Sequence, residues 1–430
     1  MSLDNRSARR TSTYQAKPTK GTTTAASTAR THLVDMRRII RVYSMDPPTR
    51  KARLLSHEQS RPRRAGTRER ILLVRLSHLG DVVHALPVFH ALRQVAPEAE
   101  LAWAIQGEFA DLVRPLPGLA RVIPFARQGG LGAWWSLRRE LANFAADWAV
   151  DGQGNLKSAA VVLASAARRR TGHHRRDWRE PFGAMVLNDS AEAIAQSAGQ
   201  HAVDRALHLA RHVAGRDLAL APTDWLALTE REREAGRRAF ESRLPDADSA
   251  AVIVQLAGAG DVRAWPLEHQ RALLIELARE KRDVLALSGP AEVEVGRHLA
   301  REVPAASHWV GQRGLRELAA FFSAAAERGA QLVASDSGPM HLAAASGLSV
   351  VALAGPQDPN LTGPWPVAGR LSPHASVHAP DAPECAPCRA RACYLESGPV
   401  CMSRITVEAV LDALEPVAQG ASTTLLPQKS

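Results

Sequence analysis

The stretch ILLVRLSHLGDVVHALP, residues 71–87, decides the fold of this chain. Its opening apolar run suits a strand buried on both faces of a parallel sheet, and the apolar positions after Gly80 recur near helical spacing. The sequence therefore predicts a strand, a tight loop and a helix. Asp81 lies in the first turn of that helix, just beyond the carboxyl end of the strand, where doubly wound sheets place their ligands. On local sequence alone, Asp81 is equally well explained as a helix cap.

The same alternation of strand and helix continues along the chain and restarts after a polar break, PDADS, at residues 245–249. A long Arg-rich helical stretch from Asp204 to Leu244 is expected before the break. The alternation predicts an α/β protein with two doubly wound domains, whose ligands bind where the carboxyl ends of the strands meet. The expected divisions are a basic arm at 1–69, domains at 70–245 and 246–418, a Cys-rich excursion at 373–401, and a tail at 419–430.

Composition narrows the possible classes of protein. The chain has 430 residues, of which 45% are hydrophobic and 23% charged, as in globular proteins with a large core. Because no apolar run approaches the roughly 20 residues that span a bilayer and no secretory signal is evident, we expect a cytoplasmic protein.

The net charge of +10 is concentrated in the N-terminal arm. Residues 1–70 hold 17 Lys and Arg against 5 Asp and Glu, an excess of 12, so the other residues carry a balance of −2. The arm is predicted to be disordered and could attract acidic lipid or nucleic acid weakly. A solvated tail, or translation from Met36 or Met45, explains it more simply. No specific nucleic-acid partner is indicated.

The segment SDSGPMHLAAASG, residues 335–347, carries the clearest ligand signal of the second half. Asp336 and Ser337 should cap a helix after a buried strand, and Gly338 leaves the backbone bare. Such a turn presents free N–H groups and a positive dipole end to an anion such as a nucleotide diphosphate. His341 lies one turn further in, although a lone histidine is more often structural. The turns at 258–261 and 288–292 follow strands of the same sheet and should open on the same edge.

Six segments occur in one order, RLSHLGDVVHALP, VDGQGNLKSA, WREP, AWPLEH, SGPAE and SDSGPMHLAAA. Together they resemble the ADP-heptose:lipopolysaccharide heptosyltransferases, glycosyltransferase family 9, over about residues 70–418. The resemblance implies a GT-B architecture, with two facing Rossmann-like domains, an N-terminal one for the acceptor and a C-terminal one for the ADP-sugar. It also implies an inverting, metal-independent transfer without a cofactor to a lipid-linked core sugar, with peripheral contact at the inner face of the inner membrane.

The resemblance also implies roles for individual residues. Asp81 matches the general base of the family, in a loop that includes Ser77 and Gly80, and Lys157 and Arg179 match basic positions on the acceptor side. This chemistry is plausible, because a metal-free transferase must neutralise the departing diphosphate with cations and a helix N-terminus, and one carboxylate must accept the acceptor's proton. The matching donor-side positions are Gly258, Arg263, Glu292, Asp336, Ser337, Gly338 and His341.

Two departures from the family pattern leave the donor open. The loop LAGAGD, residues 256–261, lacks the hydroxyl residues that touch phosphate in relatives, and Arg263 replaces a lysine with a forked cation. A family relative that uses another nucleotide sugar and a different cell-envelope glycan is therefore the alternative. A non-catalytic module recruited by the basic arm is a third possibility, but a pure binder has no use for a base aligned with a phosphate site.

Four cysteines follow the spacing C-x2-C-x4-C-x7-C. Four thiols in a short segment could hold a tetrahedral zinc ion. The spacing is not that of a standard zinc ribbon, so free or partly buried thiols are the favoured interpretation and no catalytic metal is expected. The residues concerned are Cys385, Cys388, Cys393 and Cys401.

Overall fold

The computed structural model describes residues 68–126, 129–194, 199–217, 222–245, 251–258, 260–312, 314–367 and 372–414. The predicted basic arm up to residue 67 and the predicted tail lie outside these residues. Within the described part, no helix is both long enough and apolar enough to cross a membrane.

The first half forms a six-stranded parallel sheet that begins with the predicted strand and helix. Short apolar strands buried on both faces are what a doubly wound sheet requires, and β1 is fully buried from its second residue onward. In chain order its elements are β1 Arg70–Val74, α1 Leu79–Val95, β2 Glu100–Gln106, α2 Ala110–Val113, β3 Leu119–Phe125, α3 Gly130–Phe144, β4 Trp148–Asp151, α4 Leu156–Ala164, β5 Arg169–Gly172, a 3-10 turn Pro181–Val186 and β6 Asp189–Ser190. The strand order β3-β2-β1-β4-β5-β6 is that of the Rossmann fold.

Two helices follow the first sheet, α5 Ala202–Ala214 and α6 Glu230–Glu241. The prediction of one helical stretch over 204–244 is therefore wrong, and the break has local causes. Gly215 caps the C-terminus of α5, and its φ of +68° is the left-handed conformation that glycine adopts there. Thr229 is the N-cap residue of α6, and its backbone N–H donates to the Glu232 carboxylate at 2.8 Å in a capping box.

The second half repeats the architecture of the first. Its strand order, β12-β11-β10-β7-β8-β9, is the same Rossmann order when numbered from its own first strand. Its elements are β7 Val252–Gln255, α7 Leu267–Arg279, β8 Val284–Leu287, α8 Val293–Glu302, β9 Ser307–Trp309, α9 Leu315–Glu327, β10 Gln331–Ser335, α10 Gly338–Ala345, β11 Ser349–Leu353, α11 Pro359–Thr362, β12 Ala375–Val377, α12 Val400–Ser403 and α13 Val407–Leu414. The two predicted α/β sheets are thereby confirmed.

Helices from both halves share one apolar core. The same cluster of buried side chains contains Phe89 of α1, Leu209 of α5, Phe321 of α9 and Leu342 of α10. α1 packs on α5 and α10, and α6 packs on α9. The carboxyl edges of the two sheets are held together through these helices, so functional groups from both halves can meet.

Several histidines are buried in this structure as neutral groups. Burial lowers the pKa of His84, His90 and His201 below the usual value for histidine. Burial also lowers the pKa of His173 to about 3 and that of His374 to about 4. At neutral pH these imidazoles act as uncharged hydrogen-bonding groups of the interior.

Candidate active site

Asp81 lies in the first turn of α1, as the sequence predicts. His78 is the N-cap residue, and Asp81 is the third helical residue, whose Oδ2 accepts a hydrogen bond from the His78 backbone N–H at 3.1 Å. The carboxylate therefore takes part in a capping box. Its side chain is also 39% exposed, so a substrate hydroxyl can reach it while the cap is in place.

Arg75 is a site residue that the sequence analysis missed. Its Nη2 lies 2.5 Å from Oδ1 of Asp81, and its Nη1 donates to the carbonyl oxygen of Gly152. Desolvation acts to raise the pKa of Asp81, but the Arg75 guanidinium and the hydrogen bonds from His78 outweigh it and hold that pKa below its usual range. Asp81 is therefore a carboxylate at neutral pH. A basic residue after β1 was visible in the sequence, but no spacing rule selected it.

The loop after β4 lies beside the Asp81 loop. Oε1 of Gln153 accepts a hydrogen bond from the Leu76 backbone N–H at 2.7 Å. The backbone N–H of Arg179 donates to the Gly154 carbonyl at 3.1 Å. Lys157 and Arg179 are both exposed at this edge. The structure thus brings the two predicted acceptor-side residues to one loop cluster, next to the loop that carries Asp81.

Asp151, at the end of β4, is a second carboxyl group that sequence reasoning passed over. It is fully buried, and its Oδ1 accepts hydrogen bonds from the backbone N–H groups of Gln153 and Gly154 at 2.8 and 2.9 Å. Within the described ranges, its Oδ2 has no hydrogen-bond partner. Burial raises the pKa of Asp151 to about 6. Its clearest role is to shape the turn at Gln153 and Gly154.

The turn after β10 has the predicted geometry. Ser337 is the N-cap residue of α10, and its Oγ accepts a hydrogen bond from the Met340 backbone N–H at 3.3 Å. The same hydroxyl donates to Oε1 of Gln255 at 2.6 Å, which ties the turn to the end of β7. Gly338 begins the helix, so the bare helix N-terminus expected from the sequence is present.

The three turns predicted to bind the donor lie together, and Arg263 joins two of them. Its Nη1 donates to the Asp336 carbonyl at 2.8 Å, and its Nε and Nη2 bind both carboxylate oxygens of Asp261 at 3.0 and 2.7 Å. A Cβ built on Gly258 would lie 3.6 Å from Cγ of Glu292, so that turn is adjacent too. Hydrogen bonding to Asp261 raises the pKa of Arg263. The guanidinium is thus already paired with a carboxylate that the sequence analysis did not consider.

The N-termini of α1 and α10 pack directly against each other. A Cβ built on Gly80 would overlap Cδ2 of His341, and one built on Gly338 would lie 2.7 Å from Cβ of Leu79. Each glycine removes a side chain at the contact, so both are needed for this approach. Asp81 and the turn that contains Gly338 are consequently brought close together.

A chain of hydrogen bonds crosses the contact between these two helices. Nε2 of His341 lies 3.2 Å from Oδ1 of Asp336, and Nε2 of His84 lies 3.2 Å from Nδ1 of His341. Because a carboxylate only accepts, His341 carries its proton on Nε2, and its Nδ1 accepts the proton of His84. His84, another residue that the sequence analysis missed, therefore orients His341 from the opposite half.

The four cysteines are free thiols that line one small cavity of about 20 Å³. Burial and the neighbouring thiols raise the pKa of Cys401. Among the residues described by the structure, no group of three or more Cys, His, Asp or Glu side chains is arranged to hold a metal ion. The favoured interpretation of free thiols and the zinc alternative both stay predictions.

Comparison with known proteins places this geometry in a family. Residues 134–396, more than half of the chain, match the model of glycosyltransferase family 9 (heptosyltransferase). The chain belongs to glycosyltransferase family 9. It is accordingly a glycosyltransferase, as the resemblance of its six segments implied.

Relatives and solved structures agree with this membership of family 9. Lipopolysaccharide heptosyltransferase 1 of Pseudomonas aeruginosa is 29% identical over 82% of this chain and 99% of its own length. The enzyme of the same name from Escherichia coli K12 is 31% identical over 68% of this chain and 90% of its own length. The structure of E. coli heptosyltransferase WaaC with ADP matches with a TM-score of 0.59 and 25% identity, covering 80% of this chain and 99% of that one. These neighbours confirm the GT-B fold.

Proposed function

We propose that this family 9 enzyme transfers a heptose from ADP-heptose to a core sugar of a lipopolysaccharide precursor, with inversion at the anomeric carbon. The relatives named above are lipopolysaccharide heptosyltransferases, and one structural neighbour was solved with ADP. The observation that carries the proposal is the contact between the N-termini of α1 and α10, because it brings a charged carboxylate to a helix N-terminus that is suited to bind an anion.

In the proposed reaction, Asp81 is the general base. The acceptor hydroxyl attacks the anomeric carbon, the bond from that carbon to the phosphate oxygen breaks, and the electron pair leaves with the diphosphate. The hydroxyl proton passes to Asp81. Because Arg75 keeps Asp81 a weak base, we expect proton transfer late in the reaction, when the attacking oxygen has become acidic. Attack from the side opposite the leaving group inverts the configuration.

The donor diphosphate is proposed to lie at the N-terminus of α10, with Gly338 and Ser337 offering backbone N–H groups. Arg263 would give up one of its hydrogen bonds to Asp261 and bind the leaving phosphate instead, which neutralises the phosphate charge. Glu292 and Gly258 lie on the neighbouring turns, where the nucleoside would fit. Lys157, Arg179, Ser77 and Gly80 border the acceptor.

The test is a transfer assay with purified protein and a heptose-deficient lipopolysaccharide acceptor. ADP-heptose should give a product one heptose heavier, with the anomeric configuration opposite to that of the donor, and excess chelator should not reduce the rate. The matched control is UDP-glucose at the same concentration. Transfer from the control donor, with none from ADP-heptose, would support the alternative of another nucleotide sugar. Retention of configuration would contradict the single displacement at Asp81.

A further inference from the structure

We infer that the N-terminal half carries a docking patch for an anionic lipid bilayer, formed by Leu131 and Trp135 on α3 and by Phe182 and Met185 on the 3-10 turn. This inference deepens the proposed function and depends on it for its purpose, since a lipid-linked acceptor has to be reached at a membrane surface.

The outward face of α3 is apolar where a surface helix is normally polar. Its inward face buries Leu137, Leu141 and Phe144 in the core. Leu131 and Trp135 are one helical turn apart, so they share the opposite region of the surface, and they are 68% and 61% exposed. Solvated Leu and Trp side chains at this spacing indicate a partner that covers them.

The 3-10 turn Pro181–Val186 presents a second apolar pair. A Cβ built on Gly183 would lie 2.8 Å from Cζ3 of Trp178, so that buried ring holds the turn from beneath. Side chains three residues apart lie above one another in a 3-10 helix, which places Phe182 and Met185 on the same outer face. They are 60% and 73% exposed.

The two pairs lie on the same side of the first sheet, because α4 packs against both α3 and the 3-10 turn. Trp134 of α3 and Val186 of the turn both pack on one buried cluster of the N-terminal half. Trp135 and Met185 are their immediate neighbours in sequence and point outward. Six large apolar side chains are exposed among the residues that the structure describes, and four of the six belong to the docking patch.

Basic side chains lie on or near the segments that form the docking patch. The Arg138 guanidinium lies 5.6 Å from the centre of the Trp135 ring. A tryptophan flanked by arginines suits the head-group region of a bilayer, where the ring is half immersed and the cations meet anionic lipid. This charge pattern favours an anionic bilayer over a protein partner. Arg139 of α3 is also exposed, as are Lys157 at the start of α4 and Arg175, Arg176 and Arg179 shortly before the 3-10 turn.

The docking patch is joined to the acceptor side of the active site. Oε2 of Glu180, directly before the 3-10 turn, accepts a hydrogen bond from the Leu156 backbone N–H at 3.1 Å. The Arg179 backbone N–H binds the same loop at Gly154. A bilayer that covers the docking patch would therefore lie next to the loop cluster proposed to hold the acceptor.

The test compares vesicle binding by the full-length protein and two variants. The patch variant carries Trp135→Ser, Phe182→Ser and Met185→Ser, and the control carries Val95→Ser and Tyr394→Ser, exposed apolar residues outside the patch. Sedimentation with vesicles of phosphatidylglycerol and phosphatidylethanolamine should show about a tenfold or greater loss of binding for the patch variant and little for the control. Vesicles of phosphatidylcholine alone should bind the wild type weakly.

Several results would overturn the inference. If the wild type and the patch variant bound vesicles equally well, the inference would be wrong, because the basic arm would then account for all of the membrane binding. A patch variant that dissociates an oligomer without losing vesicle binding would show a protein interface. An assay with a soluble, delipidated acceptor distinguishes the two proposals. The patch variant should still transfer heptose to this acceptor. A wild-type protein that binds vesicles but transfers no heptose would refute only the proposed function.

Discussion

At the scale of single residues, the central feature is the ion pair between Asp81 and Arg75. A carboxylate in a first helical turn can serve as a cap, a base, or both, and substitution by asparagine separates these roles. The side chain of Asn can still accept the hydrogen bond from the His78 N–H, so the capping box loses little.

Asp81→Asn should reduce turnover by about 10²–10⁴, because the amide cannot take the acceptor's proton. Its affinity for ADP and its melting temperature should stay close to wild type. The measurements are initial rates, calorimetry with ADP and thermal unfolding. Asp111→Asn, an exposed aspartate that also pairs with an arginine three residues away, is the control. Near-wild-type turnover of Asp81→Asn would show that another residue is the general base, with Asp336 as the next candidate.

Arg75→Gln should shift the pH dependence of kcat/KM. Arg75 lowers the pKa of Asp81, so its removal raises that pKa, and the acidic fall in activity should begin at higher pH than in the wild type. Arg114→Gln, which loses only an exposed ion pair with Asp111, should leave the profile unchanged. An unshifted acidic limb in Arg75→Gln would mean that Asp81 does not control it.

At the scale of elements, the paired helix N-termini make a sharper prediction than either helix alone. Gly80→Ala places a methyl group against the His341 ring. Overpacking of this kind costs about 1–3 kcal/mol, and here it should also separate Asp81 from the donor turn, so turnover should fall. Gly132→Ala is the control, since a Cβ there meets no atom within 4 Å. Gly132→Ala, a change within α3, should leave the free energy of unfolding unchanged or raise it by about 0.5–1 kcal/mol. Wild-type turnover in Gly80→Ala would show that the contact is not needed.

Much at this scale could be predicted from the sequence. The buried strands, the helix after Gly80 and the cap at Ser337 are specified by local patterns, and all of them are present. The break between α5 and α6 could not be inferred from the charge pattern, because Arg-rich spacing continues across it. Arg75 and His84 were missed for another reason. Arg75 contacts Asp81 only through the fold of the loop between them, and His84 contacts His341, which lies 257 residues away in the sequence. Such pairings depend on tertiary structure that no local pattern encodes.

At the scale of the whole molecule, Arg316 of α9 links parts of both halves. Its guanidinium binds both carboxylate oxygens of Glu232 at 2.7 Å, donates to the Leu226 carbonyl at 2.6 Å, and is nearly buried. It also reaches the Leu112 carbonyl of α2 at 3.4 Å. This one side chain therefore connects α9 with α6, with the segment that precedes α6 and with the first half.

Arg316→Met should lower the free energy of unfolding by about 1–3 kcal/mol at pH 7, between the values for exposed and fully buried pairs. The hydrogen bonds from Arg316 lower the pKa of Glu232 to about 2 from a usual 4.5. The stabilisation by the pair is therefore complete above pH 4.5 and is lost as pH falls toward 2. Denaturant unfolding should show the gap between wild type and variant narrowing over that window. Arg279→Met, which removes an exposed pair, is the control, and an equal loss there would contradict a special role for Arg316.

The buried neutral histidines have a consequence for the solvent around the protein. At pH 5 most histidines of an unfolded chain are protonated, whereas His173 and His374, with folded pKa values of about 3 and about 4, stay neutral in the folded state. Burial lowers the pKa of His84, His90 and His201 in the same direction. Asp151 acts in the opposite sense and gives up its proton on unfolding, since its folded pKa is about 6. Unfolding should thus absorb about one proton net from His173, His374 and Asp151 together, and the other three histidines add to this uptake. In weakly buffered solution at pH 5, a pH electrode should record alkalinisation as the protein melts.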